Sequence, residues 1–562
     1  MGQSIGTRIE ILGVLTCLGP VHVGGWDNTA EADLTVARDG TGLPCLPGTS
    51  IAGALRAYLA GVDGFRGDRA ATLMDALFGH ITQTGRGGSP SWIRVDDAHL
   101  IGDDIPLGVR DGVGIDRRSA SAAANYLYTR QVLPAGTRFA LRLVADTPTT
   151  ALTHHYPGGW SRLIDDAVEA MVAGLAHGRV PIGAGRGRGF GKVELSEVTT
   201  RRADLSDPAG LVAWLTGTAP AVPCQRTGST APADGRLRAT VTWQPASPLL
   251  VRDSLPGTVV DAVPVTDTAA DGTVRLLLPG SSIRGAVRAY AERIVRTLQG
   301  SDAAPDFGDT LVHPPPGVDV LFGAAPAHSA DRERANSGGL AEVETSPNNA
   351  VGGRRGVLTV ADCHSVGHVS TDQWNNIVTT SPDPVDAAGK EIREARGQRN
   401  SARDQARSAL HRHLDSTNAS FALRVSDHVA IDRWTGGASD HRLFSVLDPD
   451  TTVRWEPIHI DVDTTRLNGD HGPAEHTSTA LALPLLLLVL RDLRDGWLSV
   501  GYGGTRGRGQ IEVTDVTFTG DGLTGAWQAL AGQNLDTILT DPPAEILHTM
   551  TTWADTFPEA PA

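Results

Sequence analysis

The feature that most constrains the fold of this 562-residue chain is an internal repeat. The segment LPCLPGTSIAGALRAYL at residues 43–59 returns as LLLPGSSIRGAVRAYAE at 276–292. Four further pairs follow in the same order: LFG at 77–79 and 321–323, WIRVDDA at 92–98 and VLTVADC at 357–363, IDR at 115–117 and 431–433, and Gly/Arg-rich stretches at 183–191 and 501–509. Five matches in one order predict two copies of one domain.

The repeat also sets the domain boundaries. We predict a first domain, a linker rich in Pro, Thr, Ala and Gly, a second domain and a C-terminal helical tail, over residues 1–205, 206–235, 236–520 and 521–562. The second copy is much longer between LFG and IDR, which predicts a polar, partly disordered insertion at about 367–418. A helix-like run occupies residues 387–415.

Within each copy the hydrophobic periodicity predicts the order strand, helix, strands, helix, strand. Alternating apolar residues at 8–18 predict the first strand, and PG[ST]S opens a helix with Ser50 or Thr49 as its N-cap. Apolar side chains at i, i+3 and i+4 predict a helix over 160–175, with a more apolar counterpart at 485–493. This order is typical of ferredoxin-like or RNA-recognition-motif domains, so the predicted fold class is α+β with two tandem domains.

Composition excludes several classes of protein. The formal net charge of −15 excludes a uniformly basic nucleic-acid binder, although not a local basic groove. The longest apolar run, at 480–490, is too short to span a bilayer, and the four cysteines form no CxxC pair. The N-terminus shows no secretory signal pattern. We therefore expect a soluble, cytoplasmic protein without a membrane partner. Because Lys192 and Lys390 are the only lysines, arginine content says little, and arginine position carries the information.

The Gly/Arg loops are the first candidate RNA contacts. Glycines let backbone N–H groups approach an anion, and arginines add charge-assisted hydrogen bonds to phosphate. Neither loop matches GxxxxGK[ST], and the alternative is a flexible surface turn. The candidates are Gly185, Arg186, Gly187, Arg188, Gly504, Arg506, Gly507 and Arg508.

The PG[ST]S helix starts and the IDR segments supply further candidates. Free N–H groups at a helix start can bind phosphate, and interleaved aromatic and arginine side chains suit single-stranded RNA. The alternatives are an ordinary helix cap and a structural hairpin. The candidates at the helices are Gly48, Ser50, Arg56, Gly280, Ser282, Arg284 and Arg288. Those in the hairpins are Arg117, Arg118, Arg130 and Arg433.

Acidic candidates lie between the first strand and the PG[ST]S helix of each copy. They are Asp27, Asp33, Asp39, Asp253, Asp261 and Asp267. An isolated loop aspartate is most often a solvated turn residue, so the residues alone leave the choice open. The histidines form no HExxH or spaced metal cluster, and no Ser-His-Asp arrangement stands out.

The ordered set HVGG, LPCLPGTSIAGALR, LFG, RVDDA, GIDRRSASA, LPAGTRF and GAGRGRGFG resembles the RAMP superfamily, in particular the backbone subunit of type III CRISPR effector complexes. The resemblance implies an RNA-recognition-motif-like palm and a hairpin thumb that interrupts the guide–target duplex about every six nucleotides, where bases are splayed. It also implies that an aspartate before the PGSS helix cuts the target RNA with Mg²⁺ or Mn²⁺. Asp261 and Asp33 match that position best, as catalytic residues and metal ligands, with Asp27 as the runner-up.

The resemblance further implies the partners and the products. The partners would be guide RNA, complementary target RNA and other type III effector subunits, including the large polymerase-like signalling subunit and the small subunit. Cleavage would leave a 2′,3′-cyclic phosphate and a 5′-hydroxyl. Two alternatives remain: a non-catalytic guide-RNA scaffold, and a guide-processing endoribonuclease. The scarcity of lysine and the lack of a paired-histidine signature disfavour the second.

Overall fold

The computed structural model describes residues 4–25, 32–65, 70–81, 88–149, 156–223, 233, 235–254, 260–326, 353–378, 396–467 and 475–557. The chain divides into two compact units. Unit 1 comprises Met1–Arg110, Tyr128–Gly235 and Ala269–Asp271. Unit 2 comprises Asp111–Leu127, Arg236–Thr268 and Gly272–Ala562.

Unit 1 and the hairpin that continues from it hold eleven of the strands and four of the helices. The strands are β1 (Ile5–Cys17), β2 (Cys45–Leu46), β3 (His80–Ile81), β4 (Gly88–Ser89), β5 (Ile93–Val95), β6 (Ala98–Leu100), β7 (Gly108–Ile115), β8 (Ala122–Val132), β9 (Arg138–Pro148), β10 (Val193–Asp204) and β11 (Ala221–Pro223). The helices are α1 (Gly48–Leu59), α2 (Ala70–Phe78), α3 (Gly159–Ala176) and α4 (Pro208–Leu215).

Unit 2 contains the remaining elements. The strands are β12 (Arg236–Pro245), β13 (Thr266–Thr268), β14 (Thr273–Leu278), β15 (Gly323–Ala324), β16 (Arg354–Arg355), β17 (Leu358–Val360), β18 (Cys363–His364), β19 (Val369–Ser370), β20 (Leu423–Ile431), β21 (Ala438–Pro449), β22 (Ile458–Asp463) and β23 (Ile511–Asp521). The helices are α5 (Gly280–Gln299), α6 (Phe307–Val312), α7 (Val318–Phe322), α8 (Thr371–Val378), α9 (Arg396–Phe421), α10 (Glu475–Arg494), α11 (Gly525–Leu530), α12 (Leu535–Thr540) and α13 (Ala544–Ala554).

The two units share one sheet topology. In unit 1 antiparallel strands pair in the order β10-β1-β9-β5, and in unit 2 in the order β23-β12-β22-β17. In both, the first strand of the copy is central and pairs with the last strand. This arrangement confirms the predicted α+β class, and each unit has its own hydrophobic core.

The long helices cover the sheets as the periodicity predicts. The buried side of α3 includes Leu163, Ile164, Met171 and Leu175, all at most 1% exposed, in the core with β9 and β10. Its counterpart α10 contains Pro484 and an almost continuous buried run from Ala482 to Leu487. An apolar stripe in α3 and an apolar run in α10 bury the helices to different depths.

The start of helix α1 differs from its prediction. Pro47 occupies the N-cap position, without a side-chain capping bond, so the assignment of Ser50 or Thr49 as N-cap is wrong. The first amide, that of Gly48, donates instead to Asp97 Oδ1 at 2.7 Å. In unit 2 the Gly280 amide donates to Asp362 Oδ1, also at 2.7 Å. A carboxylate from a neighbouring strand segment thus satisfies a helix end that local sequence left open.

The predicted insertion contributes to the core of unit 2. Trp374 and Ile377 of α8, and Leu410 and Leu414 of α9, are at most 8% exposed and pack in that core. Residues 379–395, which include part of the predicted helical run, lie outside the described residues. Short helices beyond residue 520 also pack on unit 2 through Trp527 and Ile546. The segment predicted as a linker includes helix α4 and strand β11, which pairs with β10. Among the helices that the structure describes, none combines the length and apolarity needed to cross a membrane.

Candidate nucleic-acid interface

Asp33 lies beside the second strand of the hairpin in unit 1. Its Oδ2 accepts hydrogen bonds from the Thr129 backbone N–H at 2.7 Å and the Thr129 hydroxyl at 2.9 Å. The Asp33 N–H donates in return to Thr129 Oγ1 at 2.9 Å. The bonds from Thr129, first the backbone N–H and then the hydroxyl, hold the pKa of Asp33 below its ordinary value. This exposed carboxylate is therefore ionised at neutral pH.

Asp261 takes the same place in unit 2. Its Oδ2 accepts from the Ser445 backbone N–H at 2.7 Å and from the Ser445 hydroxyl at 3.1 Å. The bridges Leu34–Arg130 and Ala262–Val446, both parallel, place the two aspartates one residue before equivalent positions. We call each set, Asp33 with Thr129 and Asp261 with Ser445, an aspartate clamp. Two aspartates chosen from sequence thus occupy one structural position.

Arginine and aromatic side chains contact one another at the two strand positions that flank Thr129 in unit 1. The Arg130 guanidinium carbon lies 5.6 Å from the Tyr128 ring centroid and 5.9 Å from that of Phe190. Burial lowers the pKa of Arg130, and its buried Nε has no hydrogen-bond partner among the described residues. Arg188 donates to the Tyr128 hydroxyl. The loop and the hairpin strand therefore bring two guanidinium groups and two rings together, and such a set suits RNA phosphates and bases.

The junction, by which we mean the contact between the Gly/Arg loop and the hairpin strand, is built from different residues in unit 2. Arg508 forms an ion pair with Asp448, and the two side chains are 9% and 1% exposed. Arg508 Nη1 also lies 3.2 Å from His428 Nε2, and that imidazole stacks on Phe444 at 5.2 Å. Burial, followed by the Arg508 charge, lowers the pKa of His428. The Arg506 guanidinium lies 5.9 Å from the Phe444 ring.

The Gly/Arg loops are tight turns closed by internal bonds. Gly185 and Gly503 have φ of 76° and 80°, in the left-handed region that favours glycine. The Arg188 amide donates to the Gly185 carbonyl at 2.7 Å, and the Arg506 amide donates to the Gly503 carbonyl at 2.8 Å. These amides are already used within the turn. Two loop amides are therefore engaged within the turns, and anion binding by the remaining amides and by the arginine side chains stays a prediction.

The predicted phosphate sites at the helix starts are less open than expected. Gly48 and Gly280 are buried, and their amides donate to carboxylates of the protein, so these two amides already have an anionic partner. Ser50 and Ser282 are half-buried in the first helical turn, and their contact with RNA stays a prediction.

The helix arginines are also engaged within the protein. Arg56 donates to Asp75 at 2.6 Å, Arg284 to the Phe322 carbonyl at 2.7 Å, and Arg288 to Glu292 at 2.9 Å. Each of these guanidinium groups is therefore held by a hydrogen bond within the protein. RNA binding by these three arginines stays a prediction.

Both hairpin tips present an exposed arginine, and the first tip also has a bonded one. In the part of the hairpin that belongs to unit 2, Arg117 donates to Glu292 at 3.0 Å. Arg118 and Arg433 are exposed, each in a turn held by the aspartate of the IDR motif. Trp434, next to Arg433, is 96% exposed. The second tip therefore presents a cation and a large ring to solvent.

The other acidic candidates have structural partners. Asp39 accepts hydrogen bonds from Thr41 and pairs with His99 at 3.1 Å. The bond from the Thr41 hydroxyl contributes most to lowering the pKa of Asp39 to about 2. Asp267 pairs with His364 at 2.9 Å. The Asp253 amide donates to the Val263 carbonyl. Asp27 lies outside the described residues.

A divalent ion would find one carboxylate in each clamp. Among the described residues there is no group of three or more His, Cys, Asp or Glu side chains that could hold a metal. Mg²⁺ usually keeps several waters and binds one or two carboxylates plus substrate phosphates. A single aspartate fits such an ion only when RNA supplies further oxygens.

Sequence reasoning missed Thr129, Ser445, Phe190 and Asp448. One signal was available: an aromatic residue followed by a hydroxyl residue occurs in both hairpins, as Tyr128-Thr129 and Phe444-Ser445. The contact partners themselves depend on long-range packing, since Asp33 and Thr129 are 96 positions apart.

The fold and the clamps define a protein of two tandem α+β domains, each with a charged hairpin and a Gly/Arg loop. The sequence model of the RAMP superfamily matches residues 14–194 and 247–512, one region in each copy. Because these regions cover most of the chain, the chain belongs to the RAMP superfamily. RAMP domains have ferredoxin-like folds, in agreement with the sheet order here. Membership indicates a CRISPR-associated RNA-binding subunit. No curated protein matches the chain.

Proposed function

We propose that this chain is a guide-RNA-binding backbone subunit of a type III CRISPR effector complex, and that it cleaves complementary target RNA at two positions. The aspartate clamp, built alike in both units, carries this proposal. In each unit an exposed carboxylate is bonded to a hairpin strand, and a loop arginine contacts the aromatic residue that precedes the bonding residue on that strand. A structural accident would not be expected to keep the same acid, the same hydroxyl donor and a neighbouring cation in two diverged copies.

The reaction uses a nucleophile that RNA carries. The 2′-oxygen attacks the adjacent phosphorus, the P–O5′ bond breaks, and the 2′-proton leaves while O5′ gains a proton. The products are a 2′,3′-cyclic phosphate and a 5′-hydroxyl. Holding the splayed nucleotide with its 2′-OH in line supplies much of the rate, which is a task of positioning.

The chain's own groups have distinct roles in this scheme. Arg188 and Arg506 lie where they can bind phosphate, and Tyr128 and Phe444 offer faces for stacking. The ionised Asp33 is a weak base, because its pKa is lowered. It therefore acts by orienting the 2′-OH or by accepting a hydrogen bond from it. A divalent ion bound to Asp33 or Asp261 together with RNA oxygens would supply charge stabilisation of the phosphate.

One observation favours the alternative of a non-catalytic scaffold. The described residues contain no cluster of three metal-ligating side chains, so the protein alone presents a sparse metal site. In that case the clamps would only fix the hairpins, and guide RNA binding would be the whole function.

The test is cleavage of labelled, guide-complementary RNA by the assembled, guide-loaded complex, with Mg²⁺, with Mn²⁺ and with EDTA. We expect two metal-dependent cuts about six nucleotides apart, at the splayed positions of the duplex. Asp33→Asn should remove one cut and Asp261→Asn the other. Asp103→Asn and Asp541→Asn, in exposed loops, serve as matched controls and should leave both cuts.

The other outcomes are equally informative. Two cuts that persist in the Asp33→Asn/Asp261→Asn double variant would place the chemistry elsewhere. Tight guide binding without any cut in the unaltered complex would assign the chain to the scaffold class.

A further inference from the structure

The aspartate clamps contain a hydroxyl whose role goes beyond holding two strands together. In each clamp the backbone N–H and the hydroxyl of one hairpin residue donate to the same carboxylate oxygen, Oδ2. Among the described residues no donor contacts Oδ1 of Asp33 or of Asp261. One oxygen of each carboxylate is thus fixed to the protein, and the other is left for a ligand.

Two donors constrain the carboxylate more than one would. An exposed aspartate rotates about two side-chain torsions, and a single bond to Oδ2 leaves the carboxylate plane free to turn. The Thr129 hydroxyl, which also accepts from the Asp33 N–H, ties the side chain to its own backbone. The Ser445 hydroxyl lies 3.3 Å from the Asp261 N–H and is placed to do the same. Pre-ordering of this kind removes conformational freedom before RNA arrives.

We propose that Thr129 and Ser445 are positioning residues for target-RNA cleavage, each aiming the Oδ1 of its aspartate at the bound nucleotide. This inference rests on the proposed function, because it assigns the hydroxyls a part in that same reaction. Neither hydroxyl touches the reacting atoms; each acts through its aspartate. Residues that orient a ligating or reacting carboxylate typically change affinity or activity 10–100-fold when removed.

The lowered pKa of Asp33 is consistent with this role, because the Thr129 hydroxyl bond contributes to lowering it, second only to the bond from the Thr129 backbone N–H. The two clamps also differ in a useful way. Unit 1 uses threonine and unit 2 uses serine, so the hydroxyl is kept while the methyl group is not. Thr129→Ser and Ser445→Thr therefore keep the hydroxyl and should retain the cleavage rate that the hydroxyl-deleting variants lose.

The experiment measures single-turnover cleavage at each of the two cuts, together with the Kd for target RNA, in guide-loaded complexes. Thr129→Val keeps the branched shape and the backbone N–H but removes the hydroxyl, and Ser445→Ala removes the hydroxyl in unit 2 while keeping the backbone N–H. We expect each variant to slow its own cut roughly 10–100-fold. The other cut and the Kd should stay unchanged. Thr129→Ser and Ser445→Thr should restore the rate.

Matched controls remove a hydroxyl that also bonds an aspartate, but away from the hairpins. Ser206 donates to Asp204 and Thr465 donates to Asp463. Ser206→Ala and Thr465→Val should leave both cuts at the unaltered rate. If Thr129→Val assembles poorly, Thr129→Ala deletes the same hydroxyl with a smaller side chain. The single-turnover cleavage rate of Thr129→Ala then tests the positioning role.

The outcomes separate this inference from the proposed function. Cutting at full rate by Thr129→Val and Ser445→Ala, when Asp33→Asn and Asp261→Asn abolish it, would overturn the positioning role alone. Cutting that survives the aspartate variants would overturn the proposed function itself. A slowed cut that Thr129→Ser fails to restore would assign Thr129 a structural role and would also contradict the inference.

Discussion

The clamps of the two units are alike, whereas the junctions between loop and hairpin differ in where their arginines come from. In unit 1 the hairpin strand supplies Arg130, and the loop supplies Arg188 and the ring of Phe190. In unit 2 both arginines, Arg506 and Arg508, come from the loop, and Val446 occupies the position of Arg130 on the strand. Each junction thus has two arginines, but the strand supplies one of them in unit 1 alone.

This difference indicates that the junction arginines Arg130 and Arg508 have different roles although they lie in corresponding parts of the two units. Arg130 is flanked by aromatic rings and has no carboxylate partner among the described residues, so its charge is uncompensated locally. Arg508 is paired with a carboxylate that is 1% exposed. We therefore expect Arg508 to serve mainly the stability of unit 2, and Arg130 mainly the binding of RNA.

The largest expected effect is on stability. Arg508→Met leaves the buried Asp448 carboxylate without its partner, and such a loss costs about 3–5 kcal/mol. Arg130→Met removes only contacts with two rings, which contribute about 0.5–1 kcal/mol at partly exposed sites. Chemical unfolding of the full chain, followed by circular dichroism, should show this asymmetry.

A double variant checks the cause. Arg508→Met together with Asp448→Leu replaces the buried pair by apolar side chains and should recover most of the lost free energy of unfolding. Equal destabilisation by Arg508→Met and Arg130→Met would remove the proposed contrast between the junctions.

A second, intermediate effect compares two equivalent Asp–His pairs. The His364 side chain in unit 2 is 16% exposed and bonds Asp267, whereas His99 in unit 1 is 63% exposed and bonds Asp39. Burial lowers the pKa of His364, but the bonds to Asp267 and Glu456 outweigh burial and raise it to about 9. The ordinary pKa of histidine is about 6.5.

The sign of the pH dependence follows from this raised pKa. The stability that the His364 proton contributes is fully present below about pH 6.5 and is lost as the pH rises through about 9. In the unaltered chain, the free energy of unfolding should fall by about 1–3 kcal/mol over that range, as expected for a charge-assisted hydrogen bond. His364→Gln should flatten this slope, and His99→Gln should not, because exposed pairs contribute little. An unchanged slope in His364→Gln would contradict the assignment.

The smallest expected effect is on RNA affinity. Arg130→Met should lower the salt dependence of guide-RNA binding by about one unit in the slope of log K against log salt, as for one lost phosphate contact. Arg138→Met is the matched control, because Arg138 pairs with Glu197 on the sheet of the same unit. Filter binding across a salt series measures both. If the two variants have equal slopes, Arg130 does not contact phosphate.

Sequence reasoning succeeded where the signal is local or repeated. The order of motifs located both hairpins and both Gly/Arg loops, the family resemblance selected the two aspartates, and the periodicity located α3 and α10. It failed at the helix starts, because Asp97 and Asp362, which accept hydrogen bonds from the Gly48 and Gly280 amides, lie in connections between strands 49 and 82 positions further along the chain. The polar composition of the insertion also gave no sign that Trp374 and Leu414 are buried in the core of unit 2.

The sequence by itself therefore determined the duplication and the α+β class, since these depend on spacing along the chain, and the choice of aspartates came from the family resemblance. Only the tertiary structure decided which hydrogen-bond donors hold those aspartates and which arginines are already paired. Asp261 and Ser445 are 184 positions apart, and Arg508 and Asp448 meet only when the loop packs against the hairpin. Charged and polar side chains come within hydrogen-bond distance of each other because distant segments pack together, and local periodicity does not encode such contacts.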